Sequence, residues 1–121
     1  TKHTQKDEIA SDEICVDIGK ETIKEFEEEI KKSKTIFTNG SMGIYTKEEF
    51  AQGSKKILEA IAANSNAFSV AGGGDCVAAI YIFELQDKFN FLSTGGGATL
   101  KYITCKYPLE DLKTFKVMAV E

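Results

Sequence analysis

The sequence predicts an α/β protein: a Rossmann-like parallel sheet flanked by helices, a three-layer sandwich of which this chain is a part. Short apolar runs alternate with segments of helical periodicity, the pattern of parallel strands joined by right-handed crossovers. Two of those runs end in glycine triplets, Gly72-Gly73-Gly74 and Gly95-Gly96-Gly97, each leading directly into a helical pattern. With 121 residues, 42% of them hydrophobic and 28% charged, the chain fits one globular domain.

Taken in order, Thr1 to Asp12 is polar and aperiodic, and residues 1–12 are expected to be a linker or flexible lead. Ile14 to Ile18 reads as a short buried strand ended by Gly19. Glu21 to Lys32 reads as a helix, because Ile23, Phe26 and Ile30 recur at helical steps. Its acid run Glu27-Glu28-Glu29 belongs to the solvated side. Thr35 to Thr38 is a second strand, followed by the turn-rich loop Asn39 to Tyr45. Lys47 to Ala63 follows as a second helix, with Thr46 and Glu49 spaced as a capping box and Phe50, Ile57, Leu58 and Ile61 on its core face. Phe68 to Ala71 is a third strand and Asp75 to Leu85 a third helix. Phe89 to Leu92 is a fourth strand and Gly97 to Cys105 a fourth helix, with Pro108 marking its exit. Phe115 to Val120 reads as a closing strand of undefined partner. In such sheets ligands bind beyond the carboxyl ends of the strands, so the loops at 39–43, 72–74 and 95–97 should share one edge.

Composition narrows the function classes. The net charge is −4 and all 15 basic residues are lysines, which argues against a nucleic-acid surface. No apolar run is long enough to span a membrane, and no membrane partner is expected. Cys15, Cys76 and Cys105 are widely spaced and odd in number, which suits reduced thiols in a cytoplasmic protein better than a disulfide framework or a zinc site. His3 lies in the polar lead and is given no catalytic part. The first residue is not Met, and a piece of a longer chain is expected.

Glycines at a strand-to-helix junction permit close backbone approach and leave helix amides unpaired, a physical recipe for binding phosphate. The alternative is a tight turn and nothing more; two triplets in series favour the phosphate reading. Asp75 can cap its own helix, or hold Mg²⁺ bridged to a nucleotide, or do both. The loop at 93–97 carries hydroxyls and amides but no acid. It suits a group being transferred, or is a turn capped by Thr94. Met42, Ile44 and Tyr45 either wall a nucleobase or form core beneath their loop. Cys76, near a helix N-terminus, reads as a small packing residue. Neither triplet is a P-loop or a dinucleotide fingerprint, since no Gly-Lys-Ser/Thr follows and the glycines are contiguous. Without arginine, and without a lysine in either triplet, the cations that phosphoryl transfer requires must come from elsewhere.

Asp17-Ile18-Gly19, Asn39-Gly40-Ser41-Met42-Gly43-Ile44-Tyr45, Gly72-Gly73-Gly74-Asp75 and Ser93-Thr94-Gly95-Gly96-Gly97-Ala98, in this order and spacing, resemble the latter part of the C-terminal, nucleotide-binding domain of phosphoglycerate kinase. The resemblance runs from about Asp12 to Pro108 and implies that residues 13–121 are part of a nucleotide-binding α/β domain. It implies transfer of phosphate between 1,3-bisphosphoglycerate and ADP in glycolysis, with Mg²⁺, ATP or ADP as substrate, and 3-phosphoglycerate or 1,3-bisphosphoglycerate held by an N-terminal domain outside these residues. Carried over residue by residue, Asn39, Met42 and Tyr45 line the nucleotide, and Thr46 takes the place of the family's ribose-holding glutamate. Gly72, Gly73, Gly74 and Asp75 meet the phosphates, with Asp75 on the metal. Cys76 stands where the family has a threonine near the phosphates. Gly95, Gly96 and Gly97 face the moving phosphoryl group as the catalytic loop. Ser41 replaces a proline and Leu109 a glycine. These residues alone are expected to give no turnover. The alternatives are a non-catalytic nucleotide- or phosphate-binding module and a structural remnant of the family.

Overall fold

A computed structural model describes Thr4 and residues 8–104. The elements are α1 (Lys20–Lys32), β1 (Thr35–Asn39), α2 (Gln52–Ala63), β2 (Phe68–Gly72), α3 (Gly74–Ile82), β3 (Phe91–Ser93) and α4 (Gly96–Thr104). Short 3₁₀ turns at Glu48–Phe50 and Gln86–Lys88 precede α2 and β3. The three strands form one parallel sheet in the order β1-β2-β3, as the α/β pattern requires. No helix among the described residues is long and apolar enough to cross a membrane.

Register fixes which side chains share a face. Thr38 pairs with Ala71 and Ala71 with Leu92, so these residues point to one side. That side carries the core: Ile57, Leu58 and Ile61 from α2 meet Ala71, and Cys76, Ala79 and Ile80 from α3, with Ile36 and Leu92 packed alongside. Phe37, Val70 and Phe91 lie on the opposite face, where Phe68 and Phe91 remain more than half exposed. The helical stripe read in α1 is buried only at Ile23, while Phe26 is exposed. Asn64 Nδ2 donates to the carbonyls of Ile30 (2.7 Å) and Ser33 (3.0 Å), tying the end of α2 to the end of α1. Asn90 does the same for the sheet, its Oδ1 accepting from Ser69 N at 2.8 Å where β2 begins to lead toward the functional edge.

Four expectations are corrected. Ile14 to Ile18 is not a strand: Ile14 is 84% exposed, Cys15 is exposed, and the segment is half-buried from Val16 to Ile18, where Asp17 bonds a helix terminus instead of a sheet. The second helix starts at Gln52, not Lys47, and Thr46 and Glu49 form no capping box. The N-cap position is Ala51, which has no capping side chain, and the Asp17 carboxylate supplies that partner from elsewhere in the chain. α3 ends at Ile82, short of Leu85, because Glu84 turns left-handed at φ 58°. The strand expected at Phe89 to Leu92 is Phe91–Ser93, since Phe89 is buried in the core and Asn90 is engaged with Ser69. His3, Cys105, Pro108, Leu109 and the strand expected at Phe115 to Val120 lie outside the described residues.

Candidate functional site

Parallel strands end on the same side, so Asn39, Gly72 and Ser93 stand abreast at the carboxyl edge of the sheet. All three glycine-rich loops leave from there. Gly73 N donates to Ser93 O at 2.9 Å, joining the two triplets through their backbones. Asn39 sits between them. A Cβ added at Gly73 would stand 3.0 Å from Asn39 Oδ1, and one at Gly96 would stand 2.8 Å from that oxygen and 2.8 Å from Gly73 Cα. Gly73 also has φ +98°, a conformation side chains oppose. Gly73 and Gly96 are therefore glycine because the loops pack on each other.

Gly74 and Gly97 have no such reason. Both are exposed, both lie in the first turn of a helix without positive φ, and an added Cβ would meet nothing within 4 Å at either. Glycine weakens a helix by up to about 0.5–1 kcal/mol relative to alanine, less in the terminal turn, and here it relieves no clash among the described residues. A group that must approach the backbone closely supplies a reason. The first amides of a helix lack intrahelical partners, so those of Gly74, Asp75 and Cys76 in α3, and of Gly97 and Ala98 in α4, are open toward this edge. The helix dipoles add partial positive charge at the same place.

Asp75 is exposed in the first turn of α3 and makes no capping bond to its own helix. Its Oδ1 accepts a hydrogen bond from Tyr45 Oη at 3.2 Å. Burial, then the hydrogen bond and charge of Asp75, raise the Tyr45 phenol above its ordinary pKa, so it stays protonated and donating at neutral pH. Two residues thirty positions apart are thereby brought together, and the second carboxylate oxygen is left for a ligand. Among the described residues no group of three or more His, Cys, Asp or Glu side chains gathers into a metal cluster. A single carboxylate such as Asp75 suits a Mg²⁺ ion whose remaining ligands would be phosphate oxygens and water, the habit of that cation.

The other expected site residues divide. Met42 and Tyr45 pack partly against the core, whereas Ile44 is 40% exposed and Thr46 is fully on the surface side of the loop. The Cys76 side chain is completely buried, so what it presents to the edge is its amide. Burial pushes its thiol pKa up, against smaller lowering effects from hydrogen bonds with Thr38 and the Gly40 backbone. Ser93 Oγ is engaged with Thr99 Oγ1 at 2.7 Å, which leaves the glycine amides as the groups this loop offers. Among the described residues neither glycine triplet carries a cation, and the ion pairs Lys32–Glu29 and Lys56–Glu59 lie on the outer surfaces of α1 and α2.

Sequence reasoning missed Ser54, which is 2% exposed and whose Oγ accepts from Met42 N at 3.0 Å and Gly43 N at 3.3 Å. It also missed the structural part of Asp17, which accepts from Gly53 N at 2.7 Å and Ile18 N at 2.8 Å. An acid inside an otherwise apolar strand pattern was the available signal for Asp17.

A parallel sheet that collects glycine-rich loops and open helix amides at its carboxyl edge defines an α/β domain of the type that binds ligands beyond its strand ends. A family model described as phosphoglycerate kinase matches residues 1–106. The chain is 53% identical over 100 residues to phosphoglycerate kinase of Dictyoglomus turgidum, covering 83% of this chain and 25% of that protein. It is 51% identical over 90 residues to the Mycoplasma genitalium phosphoglycerate kinase, covering 74% of this chain and 22% of the relative. The solved structure of phosphoglycerate kinase from Coxiella burnetii superimposes with a TM-score of 0.77 at 35% identity, over 87% of this chain and 27% of that one. This chain belongs to the phosphoglycerate kinase family. It spans about a quarter of the length of the curated relatives it matches.

Proposed function

We propose that this chain supplies the magnesium-nucleotide half-site of a glycolytic phosphotransferase of the cytoplasm. The observation that carries the reading is the pair Gly74 and Gly97: exposed helix-start glycines with open space where a Cβ would stand. In this reading the Gly72 to Cys76 turn holds the nucleotide phosphates through the amides of Gly74, Asp75 and Cys76, and Asp75 would hold the Mg²⁺, which offsets their charge. Asn39, Met42, Tyr45 and Thr46 form the nucleotide's side of the cleft. The Gly95-Gly96-Gly97 turn faces the transferring phosphoryl group with the open amides of Gly97 and Ala98, where oriented dipoles are most effective.

The reaction breaks the acyl-phosphate bond of 1,3-bisphosphoglycerate and forms a bond from that phosphorus to a β-phosphate oxygen of ADP. The products are ATP and the carboxylate of 3-phosphoglycerate. Positive charge is needed on the moving group, and the two triplets offer dipoles but no lysine, in a sequence without arginine. The remaining cations, and the site for phosphoglycerate, come from the rest of the enzyme, so these 121 residues alone give no turnover.

A coupled assay on the complete gene product tests the reading. Magnesium-dependent formation of ATP from 1,3-bisphosphoglycerate and ADP is expected. Magnesium-dependent ADP binding without transfer would support a non-catalytic binding module instead, and the absence of both would sink the proposal.

A further inference from the structure

The loop that reaches Asp75 is held by a brace. Three segments distant in sequence meet at the N-terminus of α2. Ile44 N donates to Val16 O at 3.1 Å, which attaches the loop to the segment before α1. The Asp17 carboxylate bridges Ile18 N and Gly53 N, so the amide terminus of α2 is occupied by the chain's own acid. Ser54 Oγ, buried in the first turn of α2, accepts from both Met42 N and Gly43 N. There is no room to spare: a Cβ at either Gly43 or Gly53 would run into the Asp17 side chain. The same loop ends in Tyr45, whose hydroxyl donates to Asp75 at 3.2 Å.

We infer that Ser54 and Asp17 are positioning residues for the nucleotide site, fixing the Met42–Tyr45 wall at a set distance from the Asp75 turn. The inference rests on the nucleotide reading above. Neither side chain reaches the edge itself. Each acts through backbone amides, Ser54 on the loop directly and Asp17 by fixing the helix turn from which Ser54 projects. Among the described residues, this buried hydroxyl is the side-chain support of both Met42 N and Gly43 N. Losing it leaves both donors unsatisfied in a partly buried place, which loosens the loop without opening the core.

The test uses the complete gene product and Mg-ADP. Ser54→Ala should weaken Mg-ADP binding about tenfold, the size expected for two lost amide bonds. It should raise KM for ADP and leave KM for the phosphoglycerate substrate unchanged. Amide exchange at Met42 and Gly43 should accelerate. Ser54→Thr keeps the hydroxyl and should restore binding to within about threefold. Asp17→Asn can accept only one of the two amide bonds and should shift the same KM in the same direction; it serves as the second probe if Ser54→Ala fails to fold. If the wild-type protein binds no Mg-ADP, the nucleotide reading fails and the inference fails with it. If wild type binds but Ser54→Ala and Asp17→Asn bind equally well, the inference alone is overturned. Equal losses in Ser54→Ala and Ser54→Thr, or equal changes in both KM values, would also overturn it.

Discussion

Alanine at Gly74 or Gly97 should stabilise the fold and impair the site, two effects of opposite sign from one methyl group. On the stability side, the new Cβ meets no atom within 4 Å at either position and neither glycine uses positive φ. Replacing glycine in a helix then gains up to about 0.5–1 kcal/mol, less at the terminal turn, or a rise of a few degrees in Tm. On the ligand side, the methyl fills the space through which a phosphate would reach the amides. A hydrogen bond to a charged group is worth about 1.5–3 kcal/mol, so losing one corresponds to roughly 10- to 100-fold. Gly74→Ala should show that loss as weaker Mg-ADP binding by calorimetry. Gly97→Ala should show it as lower kcat with Mg-ADP affinity nearly unchanged. Gly96 cannot serve for this purpose, because its Cβ would collide with Gly73 and Asn39 and move both loops at once. Variants that gain stability yet bind and turn over like wild type would refute the reasoning, since the open space would then serve no ligand.

Asp75→Asn keeps an acceptor for the Tyr45 hydroxyl and removes the charge; calorimetry should show Mg-ADP affinity falling about tenfold or more while metal-free ADP binding holds, and equal losses would remove the metal role. In the native protein, exposed Cys15 should react with a thiol reagent rapidly and buried Cys76 slowly, as read by mass spectrometry. The folded protein holds the Cys76 proton more tightly than the unfolded chain does. Its contribution to stability is therefore complete below the ordinary thiol pKa of about 8.5 and is lost as pH rises through the folded value; denaturant titrations of wild type and Cys76→Ala should diverge in that alkaline direction. Ile80 is completely buried at the centre of the core, and Ile80→Ala should lower stability by about 2–5 kcal/mol in the same titrations.

What the sequence disclosed follows from which forces are local. Helical periodicity and apolar runs are short-range signals, so α1, β1, β2 and the parallel arrangement were legible. The glycine triplets marked the edge because few other residues allow such turns. The start of α2 was misread because its cap comes from Asp17, far away in sequence, while Thr46 and Glu49 imitate a local capping box. Ile14 to Ile18 was misread for the same reason: its acid belongs to a tertiary contact. At the site, the meeting of Tyr45 with Asp75 and the double acceptor role of Ser54 depend on loop placement across the sheet, which no spacing encodes. The triplets also proved to be of mixed purpose. Gly73 and Gly96 serve packing, and Gly74 and Gly97 are the ones left open.

The most direct test of the nucleotide edge is hydrogen exchange of the complete gene product with and without Mg-ADP. The amides of Gly74 to Cys76 should become protected first, with protection extending to Gly97 and Ala98 when the phosphoglycerate substrate is added. Protection that is absent at Gly74–Cys76, or that appears instead in the shallow acidic hollow lined by Lys47, Glu48, Glu49 and Gln52, would contradict it.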